Sequence, residues 1–436
     1  MLIPEAFGVT VWEGLTMINK TVLKSVFYNG AKRDILIVDN RFEKVRTPLE
    51  PADYEGAEIV DCSHFAIMPA FYNGHTHAAM TLLRGFADDM ELGKWLNEYI
   101  WPTEAKLTPD DIEVGSRLAI LEMIKSGTVF FTDMYWHRER TIKVVEKMGI
   151  RAAIGVTFAE PLMSPEAWAG NVEFLKSHTG ELERVQLVVM PHAIYTVGEE
   201  KTAELIELAH AENYKIHTHL SETLFEIKTC NEKYGCTPVE FWKRLGGLNS
   251  NFSAAHCTHF SASDRKIFAE SGAIAILNPC SNMKLNSGIP QVAEMLKDGV
   301  RLGLGTDGAS SNNNLDMQEE MKTIALLAKY LGSAETLSAE EALKLATCNV
   351  ADFFGIHAGR IEEGYLADCL LIDLNNERMV PCYNVYSNWV YSANSSAIDS
   401  VMCNGKFVMR GRHVEGEEEI LRDARECAAR LAASSK

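Results

Sequence analysis

Short apolar runs alternate with longer amphipathic runs along the chain from about residue 64. Short apolar runs bounded by turn residues are typical of buried strands, and apolar residues three and four apart are typical of helices. Helical patterns, for example Asp110 to Lys125 and Glu199 to Ala211, lie between most of the strand-like runs. The strand-like runs are Phe65 to Phe71, Thr128 to Thr132, Ala152 to Val156, Val185 to Met190, Lys215 to Thr218, Phe252 to Ala255, Ala273 to Leu277 and Leu302 to Leu304. Eight such strand–helix units predict an α/β protein built as a (β/α)8 barrel of the TIM type.

The two ends of the chain show a different pattern. Short strand-like pieces such as Asp34 to Val38 precede the barrel pattern, and others such as Ala367 to Asp373 and Ser400 to Val408 follow it. We expect both ends to pair into one small β-sandwich, formed by residues 1–62 and 364–415, beside a barrel formed by residues 63–363. Residues 416–436 are expected to form a charged C-terminal helix on the surface.

Five polar residues stand at or just after the ends of predicted strands. They are His75, His77, His219, His256 and Asp307. The carboxyl ends of barrel strands meet on the face where the catalytic sites of this fold lie, so these side chains are expected to converge. Histidine and aspartate brought together in this way predict a metal site.

The spacing of the histidines supports this prediction. His75 and His77 are two residues apart, which in a strand puts both imidazoles on one face. His219 is the expected third ligand; His217 shares its face, but only one of the two is needed. Glu222, three residues after His219 and past the strand end, is placed for proton transfer to a substrate, although a glutamate in a loop is by default solvated.

His256 and Asp307 each allow two roles. His256 is either a metal ligand or a group that does not bind the metal but polarises the water bound to it. Asp307 lies among small neighbours in Gly305-Thr306-Asp307-Gly308 and is either the fourth ligand or an acceptor of a proton from bound water, while a helix N-cap is its alternative structural role.

Composition excludes several functional classes. The formal charge of −18 over 436 residues opposes nonspecific attraction to phosphate backbones. No apolar stretch approaches the ~20 residues that a membrane span needs. Ten scattered cysteines without a Cys-x-x-Cys pair, and a start without the features of a secretory signal, are typical of reduced thiols in a cytoplasmic protein.

Five motifs span nearly the whole chain. They are Pro69 to Gly85, His217 to Thr223, Asn278 to Gly288, Gly305 to Asn314 and Gly359 to Ala367. In sequence and in order, these motifs resemble those of the amidohydrolase superfamily, in particular its branch of 5'-methylthioadenosine/S-adenosylhomocysteine deaminases and related chlorohydrolases.

The resemblance implies one divalent ion per chain, zinc or iron, bound by His75, His77, His219 and Asp307. Members with two metals bridge them through a modified lysine after the fourth strand, whereas this strand ends Met190-Pro191-His192. The resemblance also implies that His256 hydrogen-bonds the attacking water and that Glu222 shuttles a proton to the substrate ring.

The resemblance further implies the substrate-binding residues. A glutamate matching Glu104 holds the ribose diol, a histidine matching His192 contacts the sugar or its 5' extension, and Trp95 lines the pocket. Arginines that bind the homocysteine carboxylate in some members have no counterpart near residues 157 to 170. This counts against S-adenosylhomocysteine as a substrate and leaves 5'-methylthioadenosine, adenosine or another aminated ring. A homodimer or homotetramer is expected.

The expected reaction is hydrolytic deamination of an adenosine-type nucleoside, with release of ammonia. A bound metal lowers the pKa of water from about 16 towards about 7, so that hydroxide can attack carbon 6 of adenine. The alternatives are hydrolysis of another aminated or chlorinated heterocycle, of the guanine, cytosine or triazine type, and a noncatalytic barrel scaffold.

Overall fold

A computed structural model of the chain describes residues 19–178 and 182–434. The beginning of the predicted N-terminal β-rich region, before residue 19, lies outside the described residues, and so does the end of the predicted C-terminal helix, residues 435–436.

The described strands form two sheets. Before the barrel come β1 Lys20–Tyr28, β2 Ala31–Val38, β3 Arg41–Lys44, β4 Glu58–Asp61 and β5 Phe65–Pro69. The barrel strands are β6 Phe71–Thr76, β7 Thr128–Asp133, β8 Arg151–Phe158, β9 Val185–Pro191, β10 Lys215–Leu220, β11 Phe252–His256, β12 Ile274–Leu277 and β13 Arg301–Leu304. After the barrel come β14 Cys369–Asp373, β15 Ile398–Cys403 and β16 Lys406–Met409.

Strands β6 to β13 pair in sequence order in one parallel sheet of eight strands. The first and last strands lie beside each other, because the Asp307 amide donates to the His75 carbonyl oxygen at 3.0 Å, so the sheet is a nearly closed barrel. Parallel strands that are covered by helices are buried on both faces, which explains runs such as β8 in which every residue is buried. The predicted (β/α)8 architecture is confirmed.

The interpretation of Phe65 to Phe71 as the first barrel strand is wrong. Its first part, β5, pairs with β14 in antiparallel register, with Met68 opposite Leu370, and the barrel strand begins only at Phe71. The apolar run continues across Pro69 and Ala70 and hides this change of sheet, because apolar residues are buried both in β5, in the second sheet, and in β6, in the barrel.

The second sheet joins the two ends of the chain, as predicted. Its strand order is β16-β15-β14-β5-β1-β2-β3, and β4 also pairs with β1. Side chains from both ends, including Leu23, Phe42 and Leu371, share one buried cluster. A buried ion pair between Arg151 of the barrel and Asp368 beside β14, at 2.6 Å, ties this unit to the barrel.

Helices cover the barrel and close its ends. They are α1 Pro51–Tyr54, α2 Leu92–Lys94, α3 Trp101–Glu104, α4 Pro109–Lys125, α5 Arg138–Met148, α6 Pro165–Ser177, α7 Glu199–Ala211, α8 Leu224–Tyr234, α9 Pro238–Arg244, α10 Ala262–Ser271, α11 Pro279–Lys284, α12 Val292–Lys297, α13 Met317–Leu331, α14 Ala339–Leu345, α15 Cys348–Phe353, α16 Val385–Ser387 and α17 Glu417–Ser434. A π-helical turn, Trp95–Ile100, connects α2 to α3. Helix α17 packs its apolar face, with Cys427 and Leu431, beside Leu82 on the barrel. Among the described helices, none combines the length and apolarity that crossing a membrane requires.

Candidate active site

The five polar residues singled out at strand ends converge at the carboxyl end of the barrel. His75 is the second-last residue of β6, His77 follows that strand, and His219 is the second-last residue of β10. His256 ends β11, and Asp307 follows β13. All except His77 are at least nine-tenths buried.

The predicted ligand atoms face one another. Nε2 of His77 lies 3.3 Å from Oδ1 of Asp307, and Nε2 of His75 lies 3.6 Å from the same oxygen. Nε2 of His219 lies 3.4 Å from Nε2 of His77. Nε2 of His219 thus faces the other candidate ligand atoms, whereas Nε2 of His217 lies 2.9 Å from Nδ1 of His75, the nitrogen of that ring that does not face Asp307.

The second nitrogen of each of these three rings points away from this cluster and has its own partner. Nδ1 of His77 lies 2.6 Å from the Met134 carbonyl oxygen, and Nδ1 of His219 lies 2.8 Å from that of His192. A carbonyl oxygen only accepts hydrogen bonds, so both rings carry their proton on Nδ1. This leaves a lone pair on each Nε2 that faces the cluster, the arrangement that metal-binding histidines require.

These four residues fit a bound divalent ion. Nε2 of His75 is buried and has no hydrogen-bond partner among the described residues. Burial lowers the pKa of His75 to about 4 and that of His219 well below its ordinary value, so both imidazoles are neutral. Three imidazoles and one carboxylate form a donor set that is typical of zinc.

Asp307 is held in an ionised state by its surroundings. Burial by itself would raise the pKa of this carboxyl, but the neighbouring imidazoles of His75, His77 and His256 outweigh burial and lower it well below its usual range. Ser281 donates to Oδ2 at 2.6 Å, and the Gly308 amide donates to Oδ1 at 2.8 Å. A Cβ at Gly305 would lie only 2.7 Å from the His75 nitrogen, so a glycine is needed there for β13 to approach β6.

Glu222 lines the same cavity as the candidate ligands, and one of its two carboxyl oxygens has a fixed partner. The Ser287 hydroxyl donates to Oε1 at 2.9 Å, while Oε2 lies 3.9 Å from Nε2 of His256. Burial raises the pKa of this carboxyl, which favours a protonated form that can donate to a substrate. Nδ1 of His256 lies 2.9 Å from the Asn282 side chain, which orients the ring.

Glu226 fixes the backbone that presents Glu222. Its Oε1 accepts the Ser221 amide at 2.9 Å and its Oε2 accepts the Glu222 amide at 3.0 Å. Ser221 has a φ of 52°, a left-handed conformation that costs a non-glycine residue free energy and needs such support. The Thr223-x-x-Glu226 spacing before an apolar helix is the capping signal by which the sequence could have revealed this residue.

The predicted substrate residues line one cavity with the cluster. Trp95, Glu104 and His192 line it together with His77, His219, Glu222, His256 and Asp307. The Trp95 indole nitrogen donates to the Ala87 carbonyl oxygen at 3.1 Å, and Nδ1 of His192 lies 2.9 Å from the Thr196 hydroxyl. Burial raises the pKa of Glu104 to about 7, and the hydroxyl of Tyr135, which the sequence did not reveal, partly offsets this rise.

A second cavity of about 620 Å³ adjoins the first. The two share walls formed by Glu104, Tyr135 and Thr157. Arg138 lines only the second cavity, where its guanidinium lies 3.9 Å above the Phe174 ring and donates to the Asn171 side chain at 2.8 Å. The cavity therefore contains a guanidinium from α5, which is also 3.3 Å from Oε1 of Glu139, although the segment 157 to 170 contains no arginine.

Comparison with known proteins shows similarity over nearly the whole chain. It is 41% identical over 407 residues to a 5'-deoxyadenosine deaminase of Methanosphaera stadtmanae, covering 92% of this chain and 95% of that protein. It is 38% identical over 422 residues to a 5-methylthioadenosine/S-adenosylhomocysteine deaminase of Carboxydothermus hydrogenoformans, covering 95% and 98%. The crystal structure of an adenosine deaminase from Xanthomonas campestris with bound zinc matches with a TM-score of 0.87 and 30% identity, covering 92% of this chain and 94% of that one.

The family model described as "Amidohydrolase family" matches residues 66–408, which include the barrel and most of the strands that follow it. This range contains every candidate ligand and both cavities. With the buried histidine–aspartate cluster at the carboxyl end of its barrel, the chain belongs to the amidohydrolase family.

Proposed function

We propose that this protein is a metal-dependent hydrolase that deaminates adenosine-type nucleosides, such as 5'-methylthioadenosine, adenosine or S-adenosylhomocysteine, to ammonia and the inosine-type product. The observation that best supports the proposal is the position of Glu222. This buried carboxyl group faces the same cavity as the histidine–aspartate cluster, and Glu104 lines that cavity too. The names of the relatives at about 40% identity agree with this substrate class.

One divalent ion per chain would be held by His75, His77, His219 and Asp307, with zinc as the first candidate and iron as the second. The bound zinc of the Xanthomonas campestris deaminase favours zinc. When bound, the ion supplies a Lewis acid that lowers the pKa of water and so makes a nucleophile available at neutral pH.

The chain's own residues supply the proton transfers. Because Oε1 of Glu222 is occupied by Ser287, the proton for the ring nitrogen next to carbon 6 is held at Oε2. Protonation of that nitrogen keeps the ring from acquiring a full negative charge while water adds to carbon 6. His256 or Asp307 accepts the first proton that water releases and passes it to the exocyclic amine, which leaves as ammonia. Glu222 then acts as a base and accepts the proton of the hydroxyl on carbon 6, so it regains the proton that it gave to the ring nitrogen. Such transfers contribute roughly 100- to 10,000-fold in rate.

The sugar is recognised by Glu104, assisted by His192 and Trp95. An ionised carboxylate accepts hydrogen bonds from both hydroxyls of a ribose, which a free base lacks. A site built around such a pair rejects analogues that leave its polar groups without partners. The second cavity, which begins at Glu104, would receive the 5' substituent.

A panel assay of ammonia release tests the proposal. We expect 5'-modified ribonucleosides of adenine to be deaminated faster than their 2'-deoxy analogues and faster than guanine, cytosine or a chlorotriazine. Faster turnover of a free base or a chlorotriazine would contradict the nucleoside assignment. In the same assay Glu222→Gln, which has the same shape, should keep its metal and lose activity by roughly 100-fold or more.

Two expectations from the sequence stay predictions. Assembly into a homodimer or homotetramer is tested by light scattering of the purified protein, and a cytoplasmic location by fractionation of the source cells.

A further inference from the structure

His217 lies at the centre of the barrel, one layer below the candidate ligands. It is two residues before His219 on β10, so both rings point to the same face of the strand, into the barrel. Its side chain is fully buried. Its Nε2 lies 2.9 Å from Nδ1 of His75, and its Nδ1 lies 2.8 Å from Oγ of Ser253 on the neighbouring strand β11. His217 therefore forms two hydrogen bonds, one with a candidate ligand and one with a hydroxyl. Which partner donates in each bond decides which nitrogen of His75 carries the proton.

Ser253 sets that direction. Its hydroxyl donates to the Ile216 carbonyl oxygen at 3.3 Å, which leaves Oγ to accept a proton from Nδ1 of His217. Nε2 of His217 then has a lone pair and accepts the proton on Nδ1 of His75. Nε2 of His75 is left unprotonated, on the side of Asp307. The opposite direction would place a proton on Nε2 of His75 and would prevent that atom from binding a metal.

The other two candidate histidine ligands are oriented by backbone carbonyl oxygens, those of Met134 and His192. His75 differs because a side chain orients it. Partners that orient metal-binding histidines typically contribute 10- to 100-fold to metal affinity. A backbone oxygen cannot be removed by a substitution, but a side chain can. Among the three candidate histidine ligands, the contribution of the orienting partner can therefore be tested at His75 by substitution of His217.

We propose that His217 is a positioning residue that, together with Ser253, fixes the ring orientation and the tautomer of His75 for metal binding. The proposal rests on the proposed metal site, since it requires His75 to be a ligand. It assigns a role to a histidine that the spacing of the sequence motif leaves as an unused alternative to His219.

The experiment measures the zinc dissociation constant of the purified full-length protein by competition with a chromogenic chelator. His217→Phe keeps a ring of similar size without an acceptor, and should weaken zinc binding by about 10- to 100-fold. His217→Gln offers a side-chain oxygen at a similar reach and should restore most of that loss. Circular dichroism and unfolding of the metal-free variants check the fold independently.

Each outcome is decisive. A purely structural role would change the unfolding of the metal-free protein and leave zinc affinity of the folded protein unchanged. The proposal is therefore overturned if folded His217→Phe binds zinc like the wild type, or if His217→Gln binds as weakly as His217→Phe. If His217→Phe does not fold, Ser253→Ala takes its place: weaker zinc binding than the wild type supports the relay, and equal binding overturns it. A wild-type protein that binds no zinc would instead remove the proposed metal site itself, and this proposal with it.

Discussion

The hydroxyl of Ser287 donates a hydrogen bond of 2.9 Å to Oε1 of Glu222, the residue proposed to transfer the proton. Ser287 itself is held by its backbone oxygen, which lies 2.6 Å from Nε2 of His259. The loop after α11 thus fixes one oxygen of the carboxyl group and leaves the other for the substrate.

Ser287→Ala should lower kcat and move the pH profile. A hydrogen bond to a charged group contributes about 1.5–3 kcal/mol, so kcat should fall by roughly 10- to 100-fold. The hydroxyl lowers the pKa of Glu222 and opposes the effect of burial, so its loss should shift the limb of the kcat profile that reports this carboxyl to higher pH. Ser287→Thr, which keeps the hydroxyl, is the control; an unchanged limb in Ser287→Ala would mean that the hydroxyl does not act on Glu222.

Glu226→Gln should destabilise the protein although Glu226 does not face the cavity. The two oxygens of the carboxyl group accept two backbone amides, whereas an amide side chain has one oxygen and would leave one buried N–H without a partner. We expect a loss of about 1–3 kcal/mol in the free energy of unfolding, measured by denaturant titration. Glu232→Gln on the same helix removes an exposed carboxylate and should change stability by less than about 0.5 kcal/mol. Equal effects of the two substitutions would contradict the role of Glu226.

The sequence predicted which strand ends meet, because the short apolar runs and their order can be read along the chain itself. His75, His219 and Asp307 could therefore be singled out before any distance was known. The partners of the site residues could not, because Ser253, Met134 and Ser287 become neighbours of His217, His77 and Glu222 only when distant parts of the chain fold together. The carbonyl oxygens of Met134 and His192 leave no sequence signal at all, since every residue has one.

Glu104 should make ribonucleoside binding dependent on pH. Burial raises its pKa to about 7, above the ordinary 4.5, so ionising it costs the folded state free energy as pH rises through about 7. Only the ionised form accepts hydrogen bonds from both ribose hydroxyls. We therefore expect kcat/KM for 5'-methylthioadenosine to rise with pH through about 7, relative to its 2'-deoxy analogue.

In Glu104→Gln this relative rise should disappear while the metal content is retained. The control is the ratio of the kcat/KM values for the two substrates within each variant. Ionisations at Glu222 and at the metal site affect both values and cancel in this ratio. A ratio that rises equally in Glu104→Gln would assign the ionisation to another group.

Arg138 should favour substrates with a carboxylate on the 5' substituent. Its guanidinium lines the second cavity, and a charge-assisted hydrogen bond contributes about 1.5–3 kcal/mol. Arg138→Met should therefore lower kcat/KM for S-adenosylhomocysteine by roughly 10-fold or more and leave that for 5'-methylthioadenosine nearly unchanged. Arg140→Met, on the same helix but paired with Glu113 on the surface, should change neither value. Parallel losses for both substrates in Arg138→Met would indicate a structural role.

The mistaken assignment of Phe65 to Phe71 shows the limit of pattern alone. Residues on β5 and β6 are buried for different reasons, one set against β14 and the other inside the barrel. The two strands have a similar apolar composition, and only their pairing partners distinguish β5 from β6. The absence of arginine near residues 157 to 170 was also an incomplete guide to the charges of the second cavity. Arg138 lines that cavity beside this segment but comes from α5, a different part of the chain.

Ammonia release during zinc titration tests the central claim most directly. Protein freed of metal with a chelator should be inactive on 5'-methylthioadenosine, and activity should rise in proportion to added zinc and level off at one ion per chain. His77→Ala should neither retain zinc nor release ammonia at any zinc concentration used. Full ammonia release by rigorously metal-free protein, or by His77→Ala, would contradict the account.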